Sequence, residues 1–228
     1  MNWDHPNRKI LITGKSGTGK TTLWRQLVRG WRCRWRFVFD PDRQYARREG
    51  AAVATSPDAL TYALAHGLPV VYDPTLMFPG DRAEGFAFFC RWVLTQCKQL
   101  QGIKVFAVDE LQGVQRIGPS GVPKSFAEIG DEGRRQEIDL VLVAQRLNQV
   151  NDAIRAQMSR IITFQHTDSR ALAILEENGF NPAEVSSLAP IGDYIDRNLE
   201  DGSQQRVNAA AKANSVSPGK RRKAIQRS

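Results

Sequence analysis

Six short apolar runs, rich in β-branched and aromatic residues, recur along the chain and are separated by longer amphipathic stretches. Apolar runs of four or five residues are typical of strands buried on both faces of a sheet. Their alternation with helical patterns predicts an α/β fold with a mostly parallel central sheet flanked by helices. The predicted strands are 9–13, 36–40, 69–72, 104–108, 140–144 and 160–164, and the predicted helices are 21–29, 56–66, 81–100, 125–137, 151–159 and 168–178.

The end of the chain changes character. Residues 181–184 predict a short helix with an Asn cap, and residues 191–196 predict an edge strand. From Gly202 onward the sequence has almost no large apolar residues and is rich in Gln, Asn, Ala, Ser and basic residues. Because such a composition buries little apolar surface, we predict one domain over residues 1–202 and a basic, disordered tail over residues 203–228.

Composition narrows the class of protein. The 228 residues are 41% hydrophobic, which suits one well-packed domain and is too little chain for two full ones. No apolar run approaches the roughly 20 residues of a membrane-spanning helix, and the polar start of the chain lacks the apolar core of a signal peptide. Cys33, Cys90 and Cys97 have no metal-ligand spacing. We therefore predict a soluble intracellular protein with reduced cysteines.

The net charge of +8 is concentrated in two segments. Residues 1–50 carry twelve basic and four acidic side chains, and residues 205–228 carry seven basic and no acidic ones. The stretch between them is net acidic. Segmental basic charge favours a polyanionic partner, although solubilising surface charge is the alternative.

A glycine-rich sequence follows the first predicted strand directly and precedes a predicted helix. Backbone N–H groups of such a loop, with the positive end of the helix, form a site for phosphate groups. In this pattern Lys20 reaches the β- and γ-phosphates and the Thr21 hydroxyl binds Mg²⁺, so the chain is predicted to bind ATP or GTP. The predicted nucleotide-binding residues are Gly14, Lys15, Ser16, Gly17, Thr18, Gly19, Lys20, Thr21 and Thr22.

An acidic pair ends the fourth predicted strand. The strand reads Val105-Phe106-Ala107-Val108 and is followed by Asp109 and Glu110. Phosphoryl transfer needs a metal ligand and an oriented nucleophile. We therefore predict that Asp109 holds Mg²⁺ together with Thr21, and that Glu110 polarises the attacking water. Two predicted strands lie between the loop and this pair, which leaves room for an inserted strand between the two motifs in the sheet.

Polar residues that flank the fifth predicted strand complete the candidate chemistry. Gln145 follows that strand and is predicted to contact the γ-phosphate or the attacking water. Arg134 and Arg135 precede it, and either is a candidate arginine finger that stabilises transition-state charge in a neighbouring subunit's site. The alternative is that both arginines are solvated helix residues.

With these motifs, the chain resembles the FtsK-HerA superfamily of P-loop DNA-pumping ATPases, which have RecA/ASCE-like folds. The resemblance is strongest to the genome-packaging ATPases of tailless, membrane-containing (tectivirus-like) viruses. It spans residues 9 to about 200 and rests on 14–21, 37–41 with Tyr45, 108–110, 133–135 and 143–146.

The resemblance implies an ATPase domain over residues 1–202, with ATP and Mg²⁺ as cofactors and hydrolysis coupled to translocation of double-stranded DNA. It also implies a homo-oligomeric ring, usually a hexamer, in which the arginine acts between subunits. Partners would include proteins of a capsid vertex or membrane-associated packaging proteins, and the location would be the host cytoplasm or the virion.

Four other functions stay open at this point. Another DNA translocase of the superfamily and a filamentous-phage assembly ATPase share the motifs, although the latter usually carries a membrane segment. A P-loop phosphotransferase, which acts on a small acceptor, is disfavoured by Glu110 and Gln145. A nucleotide-dependent structural subunit is disfavoured because a pure binder needs no water-activating carboxylate.

Candidate contacts to DNA are basic side chains outside the nucleotide motifs. They comprise Arg116 and Lys124 in the loop 113–124, a stripe on the first helix, and a tail cluster. Each has an alternative as solvated or subunit-facing surface. The stripe is Arg25, Arg29 and Arg32, and the tail cluster is Lys220, Arg221, Arg222 and Lys223. The three histidines, His5, His66 and His166, are predicted to have ordinary structural roles.

Overall fold

One nine-stranded sheet organises the part of the chain that this computed structural model describes, namely residues 7–114, 121 and 123–208. The strands are β1 (Lys9–Thr13), β2 (Trp35–Phe39), β3 (Val53–Ala54), β4 (Val70–Tyr72), β5 (Lys104–Val108), β6 (Ile138–Ala144), β7 (Arg160–Thr163), β8 (Tyr194–Asn198) and β9 (Gln204–Val207). All six predicted core strands are present, within two residues at each end.

The order of strands across the sheet is β3-β4-β2-β5-β6-β1-β7-β8-β9. The first seven are parallel, whereas β8 is antiparallel to β7 and β9 is antiparallel to β8. The mostly parallel sheet is therefore confirmed. The predicted inserted strand is also present, because β6 lies between β1 and β5, the strands that precede the two motifs. In sequence, β6 follows both motifs.

Helices cover both faces of the sheet. Trp24 and Val28 of the first helix pack on one face with Ile10 and Ile12, while the aromatic residues of the fourth helix pack on the other face. This two-sided burial explains why the strands read as continuous apolar runs. The helices are α1 (Lys20–Gly30), α2 (Gln44–Glu49), α3 (Pro57–Ala65), α4 (Arg82–Cys97), α5 (Lys124–Glu132), α6 (Asp152–Arg155), α7 (Ser169–Glu177) and α8 (Pro182–Ser186).

The structure corrects the predicted domain boundary at residue 202. Residues 204–207 form β9, which pairs with β8 over four residues and buries Val207. The ordered domain therefore extends beyond residue 202. The rest of the predicted tail, from residue 209, lies outside the described residues.

Several helices differ in length from the predictions. The predicted helix 125–137 ends at Glu132, and a turn that contains Glu137 at φ 53° leads into β6. The predicted helix 151–159 contains only the four residues of α6. The cysteines are free thiols, as predicted. None of the helices in the described ranges combines the length and apolarity that crossing a membrane requires.

Candidate active site

The glycine-rich loop follows β1 at the carboxyl edge of the sheet and leads into α1. Its glycines adopt positive φ, with values of 147° at Gly14, 78° at Gly17 and 106° at Gly19. A Cβ atom on Gly14 would lie 2.6 Å from the Cβ of Phe164, so the loop needs glycine there for space as well as for conformation. The sequence folds into this cradle because side chains are absent where the backbone turns.

Hydrogen bonds hold the loop in shape. The Lys15 amide donates to the Gln165 carbonyl over 3.0 Å, and the Gly192 amide donates to the Thr18 carbonyl over 2.9 Å. Within the loop, the Thr18 hydroxyl donates to the Lys15 carbonyl over 2.9 Å. The segments that follow β7 and precede β8 therefore fix the cradle from outside.

The Lys20 ammonium is buried inside the cradle and donates to the Lys15 carbonyl. Desolvation lowers its pKa to about 8, although the charges of Asp109 and Glu110 oppose that shift. The side chain is thus mostly charged at neutral pH and is turned toward the loop backbone. A phosphate oxygen in the cradle would give this ammonium a charged acceptor in place of a carbonyl.

Asp109 and Thr21 meet at the base of the cradle. Asp109 is 7% exposed, and burial raises the pKa of its carboxyl to about 6. A hydrogen bond from the Thr21 side chain opposes that rise, and the nearby acids Glu110 and Asp40 add to it. A hydroxyl beside a desolvated carboxylate fits Mg²⁺, a hard cation that prefers oxygen ligands.

No group of three or more His, Cys, Asp or Glu side chains in the described residues forms a metal site of protein ligands alone. A cation held by Thr21 and Asp109 would therefore need further oxygen ligands from water and nucleotide phosphates. This is the ordinary arrangement for Mg²⁺ in phosphate-binding sites.

Glu110 and Gln145 are in direct contact across the ends of β5 and β6. The Gln145 side-chain amide donates from Nε2 to Glu110 Oε1 over 2.5 Å, and the Gln145 backbone amide donates to Gln112 Oε1 over 3.2 Å. Glu110 adopts φ 57°, a left-handed conformation that costs free energy in a residue with a side chain. The hydrogen bond from Gln145 holds the Glu110 carboxylate beside the cradle.

A cleft of about 330 Å³ brings most of the predicted site residues together. Gln44 and Val143 also line it and were not predicted from the sequence. Gln44 begins α2, whose first amides donate to the buried Asp40 carboxylate over 2.8 Å. The sequence feature that could have identified Gln44 is Asp40, which follows β2 and accepts the hydrogen bond from the Gln44 amide. The lining residues are Ser16, Gly17, Gly19, Lys20, Thr21, Thr22, Gln44, Asp109, Glu110, Val143 and Gln145.

The two predicted finger arginines lie away from this cleft. Arg134 and Arg135 precede β6, whereas Gln145 follows it, so they lie at opposite ends of a seven-residue strand that spans about 20 Å. Arg135 forms a 2.7 Å ion pair with Glu132. The structure therefore does not bring either arginine to the site of its own chain.

The candidate DNA contacts have mixed outcomes. The Arg25 and Arg29 guanidiniums lie 3.6 and 3.7 Å from the Glu49 carboxylate, and α1 ends at Gly30. The predicted stripe is thus partly neutralised, and Arg32 lies outside the helix. Lys124 is exposed beside Glu128. Arg116 and the tail cluster 220–223 lie outside the described residues.

The glycine cradle after β1, the acidic pair after β5 and the inserted β6 define a P-loop NTPase. The chain belongs to the AAA domain family, whose model matches residues 4–152, and it is a P-loop ATPase. No curated protein sequence matches the chain.

Solved structures share the fold. The genome packaging NTPase B204 from Sulfolobus turreted icosahedral virus 2, in complex with ATP-gammaS, has a TM-score of 0.69 and 17% identity, and covers 91% of this chain and 98% of B204. B204 from Sulfolobus Turreted Icosahedral Virus has a TM-score of 0.63 and 17% identity, covering 90% and 98%. The pCW3 conjugation coupling protein TcpA has a TM-score of 0.58 and 14% identity, covering 88% and 60%.

These comparisons confirm the resemblance to viral packaging ATPases and FtsK-HerA-type ATPases as a likeness of fold. They also confirm the predicted P-loop architecture. The roles of individual side chains in the cleft rest on the geometry described above.

Proposed function

We propose that this protein is an ATP-hydrolysing motor that translocates double-stranded DNA during viral genome packaging. The observation that carries the proposal is the contact between Glu110 and Gln145 at the mouth of the cradle. A glutamate that is held by a strand-end amide beside the γ-phosphate position suits activation of water. The likeness to B204, which spans nearly all of both chains, supports packaging as the process.

Each cleft residue has a role in this proposal. The loop amides and Lys20 bind the β- and γ-phosphate oxygens, and Thr21 and Asp109 hold Mg²⁺. When bound, Mg²⁺ neutralises charge that develops on the phosphate oxygens. Glu110 orients the attacking water and accepts its proton, and Gln145 links the occupancy of the γ-phosphate position to β6.

The proposal includes a homo-oligomeric ring, most simply a hexamer, that surrounds DNA. The position of Arg134 and Arg135 at the end of β6 opposite the cleft supports action in a neighbouring subunit's site. The ring would dock on a capsid vertex or on membrane-associated packaging proteins, in the host cytoplasm or the virion. The likeness to TcpA supports the broader alternative of another DNA translocase.

ATP turnover with and without double-stranded DNA tests the proposal, using wild type and Glu110→Gln. We expect DNA to stimulate wild-type turnover, and the substitution to lower it by at least about 100-fold while nucleotide still binds. Glu176→Gln, which changes an exposed glutamate of α7, is the matched control and is expected to behave as wild type.

A panel of small phosphoryl acceptors, assayed in parallel, separates the motor from a phosphotransferase. Turnover that depends on a small acceptor and ignores DNA would overturn the proposal. Full turnover by Glu110→Gln would remove Glu110 from the mechanism.

A further inference from the structure

A second cavity of about 460 Å³ adjoins the nucleotide cleft. Ser16 and Gln145 line both spaces, so the two meet at the loop and at the end of β6. Ala171 also lines the second cavity, and its side chain belongs to the hydrophobic cluster on the face of the sheet opposite α1. The nucleotide cleft, in contrast, is lined by Lys20, Thr21 and Thr22 of α1.

Two cations line the second cavity: Lys15, which the sequence predicted to bind nucleotide, and Arg146, which has no assigned role. Lys15 and Arg146 are both exposed, and neither side chain forms an ion pair or hydrogen bond with any described residue. Polar side chains surround them, including Asn148 and Gln149. Cations and amide groups that converge on one open space are the side-chain chemistry that binds phosphate oxyanions.

The remaining titratable groups leave the cavity positively charged. His166 is buried, with its Nε2 3.1 Å from the Thr13 hydroxyl. Burial and the charge of Lys20 lower the pKa of His166 to about 4, while Asp168 opposes that shift, so the imidazole is neutral at pH 7. The Asp168 carboxylate accepts a hydrogen bond from the Arg170 amide as the cap of α7. The cavity is therefore lined by two cationic side chains, Lys15 and Arg146, and by one acidic side chain, Asp168.

We propose that the second cavity is a phosphate oxyanion site in which Arg146 is the main charged ligand. Its occupant is either inorganic phosphate that leaves the nucleotide cleft or a phosphate of the DNA backbone. The inorganic phosphate source requires only ATP hydrolysis, whereas the DNA source rests on the proposed translocase function. In both cases Gln145, which precedes Arg146 in sequence, joins this site to Glu110.

Arg146→Gln tests the site in two independent assays on the full chain. The first measures inhibition of ATP hydrolysis by inorganic phosphate, and we expect the substitution to raise the inhibitory concentration about tenfold. The second measures binding to double-stranded DNA over a salt series, and we expect the slope of log affinity against log salt to fall by about 1. Arg146→Lys should restore most of the salt slope because it keeps the charge.

Arg170→Gln is the matched control, because Arg170 is exposed two residues after Asp168 and does not line the cavity. A change in the first assay alone identifies inorganic phosphate as the occupant, and a change in the second alone identifies DNA. The first assay remains valid if the protein does not translocate DNA. If Arg146→Gln matches Arg170→Gln in both assays, the cavity is not a phosphate site.

Discussion

At the scale of single residues, the buried carboxyl of Asp109 suits metal binding when it is ionised, but its ionisation destabilises the fold. Its pKa in the folded chain is about 6, compared with 3.8 for an unperturbed carboxyl, and burial is the main cause. Folding therefore favours the protonated form. The carboxyl stabilises the fold most below pH 3.8, and that contribution is lost as the pH rises through 6.

Asp109→Asn should stabilise the protein at neutral pH while it abolishes hydrolysis. The substitution removes a buried charge, so we expect the free energy of unfolding at pH 7.5 to rise by about 1–3 kcal/mol. At pH 5 wild-type Asp109 is mostly protonated when folded, and the difference should shrink to about half. Urea denaturation at both pH values, with EDTA present, measures this.

Glu177→Gln, at an exposed position of α7, is the control and should change stability little at either pH. A wild-type protein that equals or exceeds Asp109→Asn in stability at pH 7.5 would show that the ionised carboxylate is not destabilising.

The sequence predicted most of the residues that line the cleft, because their motifs are local. The loop residues that line it lie between Ser16 and Thr22, and the pair Asp109 and Glu110 ends an apolar strand. The sequence did not predict Gln44, because its position depends on Asp40 and on the neighbouring strand order. The second cavity was also missed, since Lys15 and Arg146 come together only when β6 pairs with β1.

At the scale of elements, the hairpin of β8 and β9 connects the sheet edge to the phosphate loop. The rings of Tyr194 in β8 and Phe164 after β7 lie 5.3 Å apart. Phe164 in turn lies 3.6 Å from where a Cβ on Gly19 would be. Because β9 pairs with β8, residues beyond the predicted boundary help to position the cradle.

Truncation at two points tests the contribution of β9. A chain that ends at residue 208 retains β9, whereas one that ends at residue 202 lacks it. We expect the shorter chain to lose about 1–3 kcal/mol in free energy of unfolding, because it loses strand hydrogen bonds and the burial of Val207. Urea denaturation measures stability, and titration with a fluorescent ATP analogue measures affinity, which should also weaken.

The chain that ends at residue 208 controls for loss of the basic tail. Equal stability and equal nucleotide affinity in the two truncated chains would show that β9 contributes nothing to the domain.

Two strands that the sequence missed, β3 and β9, have little apolar signal. β3 has two residues, and the first three residues of β9 are exposed Gln, Gln and Arg. Both strands lie at edges of the sheet and form because a neighbouring strand offers backbone hydrogen bonds. The core strands were predictable because they are buried on both faces and their side chains alone define them.

At the scale of the whole molecule, the residues of the cleft and the two candidate finger arginines lie at opposite ends of the strands. The phosphate loop, Glu110 and Gln145 lie at the carboxyl ends of the strands, while Arg134 and Arg135 lie at the amino end of β6. In a ring built by head-to-tail contacts, one surface of each subunit meets a different surface of the next. In the proposed ring, such a contact allows one subunit's arginines to meet the next subunit's cleft.

Mixing two inactive variants tests this arrangement. Glu110→Gln lacks the water-activating carboxylate, and the double variant Arg134→Ala/Arg135→Ala lacks both candidate fingers, so each alone should hydrolyse ATP poorly. If the arginine acts between subunits, random mixed rings contain about one competent interface in four, because an intact cleft then meets an intact arginine. We expect ATP turnover in an equal mixture to rise well above that of either variant alone, with pull-down of differently tagged subunits as the check of co-assembly.

The single variants Arg134→Ala and Arg135→Ala, each mixed with Glu110→Gln, then assign the finger. The arginine whose loss inactivates the unmixed ring is the one that Glu110→Gln subunits supply. Co-assembled rings that stay as inactive as their components would instead mean that neither arginine completes a neighbouring site, and that hydrolysis uses only the residues that each chain brings to its own cleft.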